Sequence, residues 1–417
     1  MKVCEYRPYE SFQLLDEALQ VLTGDFTIDF KTFTDWCIEN YRTDINFREN
    51  NGYSREPYGL NFKEGKYTTR VAELKVHAQT FITLEKEKWC WLFDTLQDLD
   101  SKKTLINVLA YRCLGWRYVP MPLDNAKAWA ILNRLQQDAE KTPKSERIDI
   151  GFFNMVLSPF KINCLGRNIN ILATSGCVFS ELLYSQYNYR GKNIKLTPEI
   201  GDVVLDCGAC HGATSLYLAS QVGETGKVFS FEFFPDNIEI FNSNLQNNPT
   251  LSEKITLVKA PVWCDDNARM EVRGVGPATR VILLNKKNRL IRLLKKNLDD
   301  LAVTLFFKKN KKYTSKYRFL VNSSAIDDEY SRQSMQAVNF IKMDIEGAEL
   351  CALKGAKATI RKHSPTLAIC VYHNLRDFHE IPKFISDLNL GYEFYLQHST
   401  VHGDETVLFA HVPKNNQ

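Results

Sequence analysis

From Gly201 onward, short apolar segments alternate with segments of helical pattern. Residues 203–206, 227–232 and 340–344 are apolar segments that each end at an acidic residue. Strand–helix–strand units need right-handed crossovers, which produce a parallel sheet with helices on both faces. Residues 392–411 contain two alternating segments joined by a turn, which indicates an antiparallel addition to that sheet. The sequence therefore predicts an α/β fold with a mostly parallel sheet and an antiparallel last strand.

A glycine-bearing turn follows the first of these strands and runs from Asp206 to Gly212. Gly208 and Gly212 allow close approach of a ligand and tight packing of the following helix. Their G-x-x-x-G spacing differs from the G-x-G-x-x-G of dinucleotide sites, and the Asp206 carboxylate would repel a pyrophosphate. S-adenosylmethionine carries an ammonium and a sulfonium and no phosphate, so an acid at the strand end attracts it. Glu232, at the end of the next strand, is placed to accept hydrogen bonds from the ribose hydroxyls.

Several segments together resemble the FkbM-type methyltransferase family. The main ones are residues 203–209 (VVLDCGA), 227–232 (KVFSFE) and 340–349 (FIKMDIEGAE), and the K-x-D-x-E-G-x-E pattern of the third is the most specific. The later segments that fit the same family are residues 371–373 with Asp377, residues 381–382 and residues 405–410.

The resemblance implies a Rossmann-like class I methyltransferase sheet of seven strands. It also implies S-adenosylmethionine as the methyl donor and an O-methyl acceptor, often a sugar hydroxyl. The chain departs from the usual pattern at Phe234, which lies between Phe233 and Pro235 where a shorter step is common. It also has Gln397 where closely similar members have an acid.

The predicted cofactor-binding residues lie in the first turn, in the helix that follows it, and around the end of the second strand. They are Asp206, Gly208, Ala209, His211, Gly212, Thr214, Glu232, Phe233 and Asn237.

Methyl transfer to a hydroxyl needs an in-line acceptor and often a base, and we predict Asp344, His373, Glu346 and Lys342 as catalytic residues. Asp344 could stabilise the sulfonium or accept the hydroxyl proton, and Glu346 follows in the same turn. Lys342 shares the face of Asp344 and could orient it, or could form only an ion pair with Glu346 or Glu349. His373 is the other candidate base because an ordinary histidine has a pKa of about 6.5. The choice between Asp344 and His373 stays open.

A metal or redox centre is the alternative for the histidines and cysteines near these segments. His398 and His402 are four residues apart in a predicted turn, without a helix or a nearby cysteine pair, so we predict no metal ligands. Cys207 and Cys210 form a C-x-x-C pattern, which we interpret as coincidental in methyltransferase-like surroundings.

Three segments make up the predicted domain organisation. Residues 1–150 have a mainly helical pattern without a catalytic signature, residues 151–195 form a β-rich connector, and residues 196–417 form the methyltransferase domain. The third segment contains a basic insert at about residues 280–318.

The basic insert carries 13 Lys and Arg residues against Asp299 and Asp300, which makes it +11 in a chain of net charge +4. Its apolar residues predict an amphipathic helix, and we interpret it as a solvated insertion. The alternatives are a reader of an anionic glycan or lipid-linked acceptor, and peripheral contact with a membrane surface. Nucleic acid is not expected as a partner because no aromatic-studded basic strand accompanies the insert.

The N-terminus carries early charges and no long apolar stretch, which argues against a signal peptide. No apolar run reaches the length of a membrane span, and the 11 scattered cysteines are typical of buried free thiols. We expect a cytoplasmic O-methyltransferase that acts on a hydroxyl of a sugar, glycan or glycosylated metabolite. The alternatives are a methyltransferase for a lipid headgroup or nucleic acid, and a cofactor-binding protein without turnover. The sequence does not set an oligomeric state.

Overall fold

The structure is a computed structural model and describes residues 13–19, 21–40, 71–150, 155–273, 280–283 and 318–413. The described residues form two compact units. The first unit combines Gln136–Val178 with Pro198–Ser364. The second unit combines the described residues up to Leu135 with Phe179–Thr197 and the chain from Pro365. The predicted domain boundaries at residues 150 and 195 stay a prediction, because compactness alone does not show which segments fold independently.

The N-terminal part of the described chain is helical, as the sequence predicts. Its helices are α1 (Gln13–Leu19), α2 (Phe26–Asn40), α3 (Val71–Leu84), α4 (Lys86–Thr95), α5 (Leu99–Leu114) and α6 (Ala126–Lys141). Asp98 caps α5 by accepting a hydrogen bond from the backbone N–H of Ser101 at 2.9 Å. Within the described ranges, no helix combines the length and the apolar composition that a membrane span requires.

Short antiparallel strands follow the helices. They are β1 (Ile148–Asp149), β2 (Val156–Cys164) and β3 (Arg167–Ala173), which pair in that order, and β4 (Tyr189–Arg190) with β5 (Lys195–Leu196). A helical turn at Ser175–Cys177 and a π-helix at Val178–Leu183 lie between the two groups. The β-rich character predicted for this stretch is therefore present.

From Val203 the chain alternates strands with helices. In chain order these are β6 (Val203–Cys207), α7 (Ala213–Gln221), β7 (Lys227–Phe231), α8 (Pro235–Gln246), α9 (Pro249–Ser252), β8 (Ile255–Val258), β9 (Arg269–Arg273), β10 (Arg280–Leu283), β11 (Arg318–Asn322), α10 (Ile326–Arg332), β12 (Phe340–Met343), α11 (Glu349–Lys354), α12 (Lys357–His363), β13 (Thr366–Cys370), α13 (Asp377–Ser386), β14 (Glu393–His398) and β15 (Thr406–His411).

The main sheet has seven strands in the order β14-β15-β13-β12-β6-β7-β8. Strands β12, β6, β7 and β8 pair in parallel, whereas the last strand, β15, is antiparallel to both β13 and β14. The interior strands are almost wholly buried, as expected where helices cover both faces of a parallel sheet. The predicted Rossmann-like class I methyltransferase sheet is therefore confirmed.

A second, three-stranded sheet has the order β10-β9-β11 and was not predicted. Strand β9 is central and pairs antiparallel with both neighbours, and its Met270 and Val272 are buried. Strands β10 and β11 are the two ends of the basic insert. The amphipathic helix predicted within the insert falls on residues 284–317, which lie outside the described residues.

Candidate functional site

Asp206 is fully buried at the end of β6 and lies opposite Lys342 of β12 in the parallel register. The ammonium of Lys342 is 3.0 Å from Asp206 Oδ1 and donates a hydrogen bond to the carbonyl of Gly208 at 2.7 Å. The Ser215 hydroxyl donates to Asp206 Oδ2 at 2.6 Å. The structure therefore pairs Lys342 with Asp206, whereas the sequence had suggested Asp344, Glu346 or Glu349. Through its hydrogen bond to the Gly208 carbonyl, Lys342 also holds the glycine-bearing turn in place.

Gly208 brings this turn into backbone contact with the end of β12. Its φ is +83°, and a Cβ at this position would lie 1.9 Å from the carbonyl oxygen of Asp344. The N–H groups of Gly208 and Ala209 both donate to the carbonyl of Phe231, and the N–H of Asp344 donates to that of Cys207. The ends of β6, β7 and β12 are therefore held together, as expected for a site beyond the carboxyl ends of parallel strands.

The second half of the turn leads into helix α7. Gly212 has a φ of +86°, and a Cβ there would lie 2.9 Å from the ring of Phe241. Thr214 is buried in the first turn of this helix.

Cys207 is buried and Cys210 is exposed, so the C-x-x-C pattern spans two different environments. Burial, and then the neighbouring Asp206, raise the pKa of the Cys207 thiol, which disfavours redox reactivity.

Glu232 is buried at the end of β7 with its carboxylate held from three sides. Its Oε1 accepts the backbone N–H groups of Phe233 and Phe234, both at 2.7 Å, and its Oε2 accepts from the Asn237 amide at 3.3 Å. Burial raises the pKa of Glu232, and these hydrogen bonds oppose that rise. The backbone N–H of Cys210 is a further donor, so four residues already face this carboxylate. A carboxylate has about four acceptor positions, so a ligand hydroxyl would share or replace one of these donors. Phe234, the departure from the family pattern, supplies one of these donors and packs its ring against Phe319.

Asn237 joins Glu232 to His211. Its side chain is also hydrogen bonded to the His211 imidazole, while burial lowers the pKa of His211 to about 4. The imidazole is therefore neutral near pH 7. A neutral ring beside the Glu232 carboxylate adds no positive charge that would repel a cationic cofactor.

The turn after β12 carries the predicted catalytic acids. Asp344 is half-buried, and Glu346 is exposed and adopts a left-handed conformation with a φ of +58°. Glu349, the first residue of α11, is fully buried, and its carboxylate accepts the N–H of Ile345 at 2.8 Å. This bond ties the helix to the turn. The left-handed backbone of Glu346 is a strained conformation for a residue other than glycine. Residues in such conformations are concentrated at functional sites, where the surrounding structure holds them in place.

The sequence profile of the methyltransferase FkbM domain matches residues 206–394, which include the first turn, Glu232 and Asp344. Residues 206–394 belong to the FkbM methyltransferase family. S-adenosylmethionine is the expected cofactor of this domain.

Solved structures of methyltransferases are also similar to this chain. A methyltransferase FkbM from Methylobacillus flagellatus KT has 18% identity and a TM-score of 0.44 over 80% of this chain, and the match spans only 60% of that protein. Fibrillarin from Aeropyrum pernix, in complex with natively bound S-adenosyl-L-methionine, has 11% identity and a TM-score of 0.32 over 61% of this chain and 88% of its own. A putative O-methyltransferase from Klebsiella pneumoniae has 10% identity and a TM-score of 0.30 over 68% of this chain and 90% of its own. No curated protein matches the chain.

His373 lies in the second compact unit, three residues after β13. Its ring stacks against that of Tyr372, with centroids 4.1 Å apart. The Tyr372 hydroxyl donates to Glu405 Oε1 at 3.4 Å, and the Gln186 amide donates to Glu405 Oε2 at 2.7 Å. The Arg112 guanidinium donates to the Tyr372 carbonyl at 2.5 Å. Sequence reasoning did not connect Arg112, Gln186 and Glu405 with Tyr372, because no local pattern links these separate segments. The role of His373 as a base stays a prediction.

Three further histidines near the C-terminus, His379, His398 and His402, make contacts that suit a structural role. His398 is fully buried, and its ring is hydrogen bonded to Thr406 at 2.9 Å and Thr400 at 3.3 Å. Burial lowers the pKa of His398 to about 3, so it stays neutral. His379 and His402 pack edge-on against tryptophan rings.

Gln397, the second departure from the family pattern, has a physical reason. It is buried, and its amide donates to the carbonyls of Gln186 at 3.4 Å and Asn188 at 3.3 Å. A carboxylate has no hydrogen to donate to these carbonyls. An acid at this position would therefore place its negative oxygens against the carbonyl oxygens of Gln186 and Asn188.

Two asparagines, Asn244 in α8 and Asn248 just before α9, anchor strand β3 beside the glycine-bearing turn. The buried Asn244 side chain accepts the N–H of Leu172 at 2.8 Å and donates to the Leu172 carbonyl at 3.1 Å and to the His211 carbonyl at 2.8 Å. The Asn248 side chain accepts the N–H of Asn170 at 2.9 Å and donates to the carbonyls of Asn170 and Asn244, both at 2.7 Å. Only Asn244 connects the strand to the turn.

Asn244→Ala should therefore weaken S-adenosylmethionine binding about 10-fold more than Asn248→Ala, which is the effect of about one hydrogen bond. Both variants lose the same number of hydrogen bonds, so their losses of stability should be similar. Isothermal titration calorimetry and urea unfolding of the two proteins measure the two effects separately. Equal affinities in the two variants would show that the His211 carbonyl bond does not position the turn.

Proposed function

We propose that this protein transfers the methyl group of S-adenosylmethionine to a hydroxyl of a sugar, glycan or glycosylated metabolite. The observation that carries the proposal is the Glu232 carboxylate, buried at the end of β7 and oriented by Phe233, Phe234 and Asn237. This arrangement lies within residues that belong to the FkbM family. A buried carboxylate at this position suits the two hydroxyls of a ribose, which are donors without charge.

In the first unit the Glu232 carboxylate fits S-adenosylmethionine by its charge, whereas the Asp206 carboxylate is neutralised by Lys342 and supports the turn. The turn after β6 and the Glu232 carboxylate would hold the nucleoside part, and the neutral His211 adds no repulsion. When bound, the cofactor supplies a methyl group activated by a sulfonium. Gly208 keeps the backbone of the turn against Asp344, so the half-buried Asp344 carboxylate stays at the end of β12.

The proposal for the methyl acceptor has two supports: a residue that can take the hydroxyl proton, and the resemblance to the family. Asp344 and His373 are the two candidates to receive the hydroxyl proton, and Glu346 adds a second carboxylate to the turn of Asp344. The sugar hydroxyl is favoured because it is a frequent acceptor of the proteins that the chain resembles. A cytoplasmic location and the lack of a nucleic-acid partner, both expected from the sequence, belong to the same proposal.

The first test compares Glu232→Gln with Glu239→Gln, which makes the same chemical change at an exposed position of the neighbouring helix. Glutamine keeps an acceptor for the two backbone N–H groups but replaces the other carboxylate oxygen with a donor. We expect Glu232→Gln to weaken S-adenosylmethionine binding about 10- to 100-fold, because a hydrogen bond to a charged group contributes about 1.5–3 kcal/mol. Glu239→Gln should bind like the unchanged protein. Equal binding by all three proteins would contradict the proposed site.

The second test supplies S-adenosylmethionine with an isotope-labelled methyl group and a panel of acceptors. Neutral glycans, anionic glycans, lipid vesicles and RNA are compared at low and at high salt. Label transferred to glycans supports the proposal. Transfer only to lipid or RNA, lost at high salt, would favour the basic insert as the acceptor reader. Cofactor binding without transfer to any acceptor would favour a binding protein.

A further inference from the structure

Two cysteines outside the candidate site lie next to each other in the first compact unit. Cys264 is in the loop after β8, and Cys351 is in helix α11, and both are half-buried free thiols. The side chain and the backbone of Cys264 both act on the pKa of the Cys351 thiol, so the two residues are within interaction range of each other. The Cys264 thiol itself donates a hydrogen bond to Asp265 Oδ2 at 3.7 Å.

The backbones of the two segments also lie close together. Gly355 is one helical turn after Cys351, on the same face of the helix. A Cβ on Gly355 would lie 2.3 Å from the carbonyl oxygen of Trp263 and 3.0 Å from the Cα of Cys264. The end of the helix and the loop thus pack backbone against backbone. A disulfide requires two Cα atoms that are close together, and this packing places the loop of Cys264 beside the helix that carries Cys351.

We propose that Cys264 and Cys351 are a redox modification site at which a peroxide converts the two thiols into a reversible disulfide. A reducing cytosol keeps the thiols reduced until an oxidant is present. The bond would join the loop after β8 to helix α11. That helix begins at Glu349, whose carboxylate holds the turn of Asp344.

The two cysteines have different roles in this step. Burial raises the pKa of Cys351 to about 12, so its thiol stays protonated near pH 7. In the proposed step the thiol of the loop, Cys264, reacts first. Its thiolate attacks one peroxide oxygen, the O–O bond breaks, and a sulfenic acid and one water form. The Cys351 sulfur then attacks the sulfenic sulfur, the S–S bond forms as the S–O bond breaks, and the leaving hydroxide takes the Cys351 proton as a second water. The two thiols supply the two electrons that reduce the peroxide.

The test treats the full-length protein with hydrogen peroxide, blocks the remaining thiols and maps disulfides by mass spectrometry without reduction. We expect the peptides that contain Cys264 and Cys351 to be joined, and dithiothreitol to separate them. The bond closes a long loop, so the thermal midpoint of the oxidised protein should rise by about 4 °C or more. The mapping uses the unchanged protein and needs no variant that could fail to fold.

Cys264→Ser should abolish both the crosslink and the thermal shift, whereas Cys177→Ser, a change at another half-buried thiol of the same unit, should leave both intact. Sulfinic or sulfonic acid on single cysteines, or a crosslink between other cysteines, would overturn the proposal. The disulfide does not depend on methyl transfer, so the mapping is decided independently of the acceptor assay.

Discussion

Lys342→Met is expected to lower the free energy of unfolding by about 3–5 kcal/mol, because it leaves the buried Asp206 carboxylate without its counter-charge. Both side chains are almost fully buried, at 2% and 0% exposed, so water cannot replace the lost ammonium. The change also removes the hydrogen bond to the Gly208 carbonyl. Urea unfolding followed by circular dichroism measures the loss, and calorimetry should show weaker S-adenosylmethionine binding because the turn is released.

Lys254→Met is the matched control. Lys254 is also buried, but its partner Glu224 is an exposed carboxylate that water can solvate. This variant should lose less than about 1 kcal/mol from its ion pair. The double variant Asp206→Asn with Lys342→Met should recover much of the stability, since neither charge remains buried. A Lys342→Met protein that unfolds like the Lys254→Met protein would contradict a structural role for the pair.

Gly208→Ala should cost about 2–5 kcal/mol and abolish activity. The added Cβ would fall 1.9 Å from the Asp344 carbonyl oxygen, so the backbone of one turn must move. The left-handed conformation adds a cost of about 1–2 kcal/mol for alanine, and relief of the overlap adds about 1–3 kcal/mol. Urea unfolding gives the stability, and the labelled methyl transfer assay gives the activity.

Gly166→Ala separates the two contributions. Gly166 has nearly the same φ, +81°, but a Cβ there meets nothing within 4 Å. This variant carries only the conformational cost, so we expect a loss of about 1–2 kcal/mol and unchanged turnover. If both variants lose equal stability and both retain activity, the close approach of Gly208 to Asp344 is not required.

The location of the acids at the strand ends followed from local patterns. Asp206, Glu232 and Asp344 each end an apolar segment, and the carboxyl ends of parallel strands meet at one edge of a sheet. This reasoning placed the three acids at one edge, and the structure adds that Gly208 is in backbone contact with Asp344. It did not predict the sheet of β9, β10 and β11, whose short charged strands have a weak pattern.

The partners of side chains were harder to predict. Lys342 has acids nearby in sequence at Glu346 and Glu349, but its ammonium is paired with Asp206 on the adjacent strand. Likewise, no spacing in the sequence indicates that Asn244 holds the His211 carbonyl. Such contacts depend on the register between strands and on helix packing.

The amino-acid sequence was therefore sufficient for the α/β fold class, the FkbM family and the acids at the strand ends. These properties depend on periodicity and on short motifs, which are local along the chain. The tertiary structure decided that Asp206 is neutralised by Lys342, that Gly208 contacts the Asp344 carbonyl and that the loop of Cys264 packs against Gly355 at the end of α11. These features depend on which distant segments pack together, and no local pattern encodes that choice, because burial and register arise only when the whole core forms.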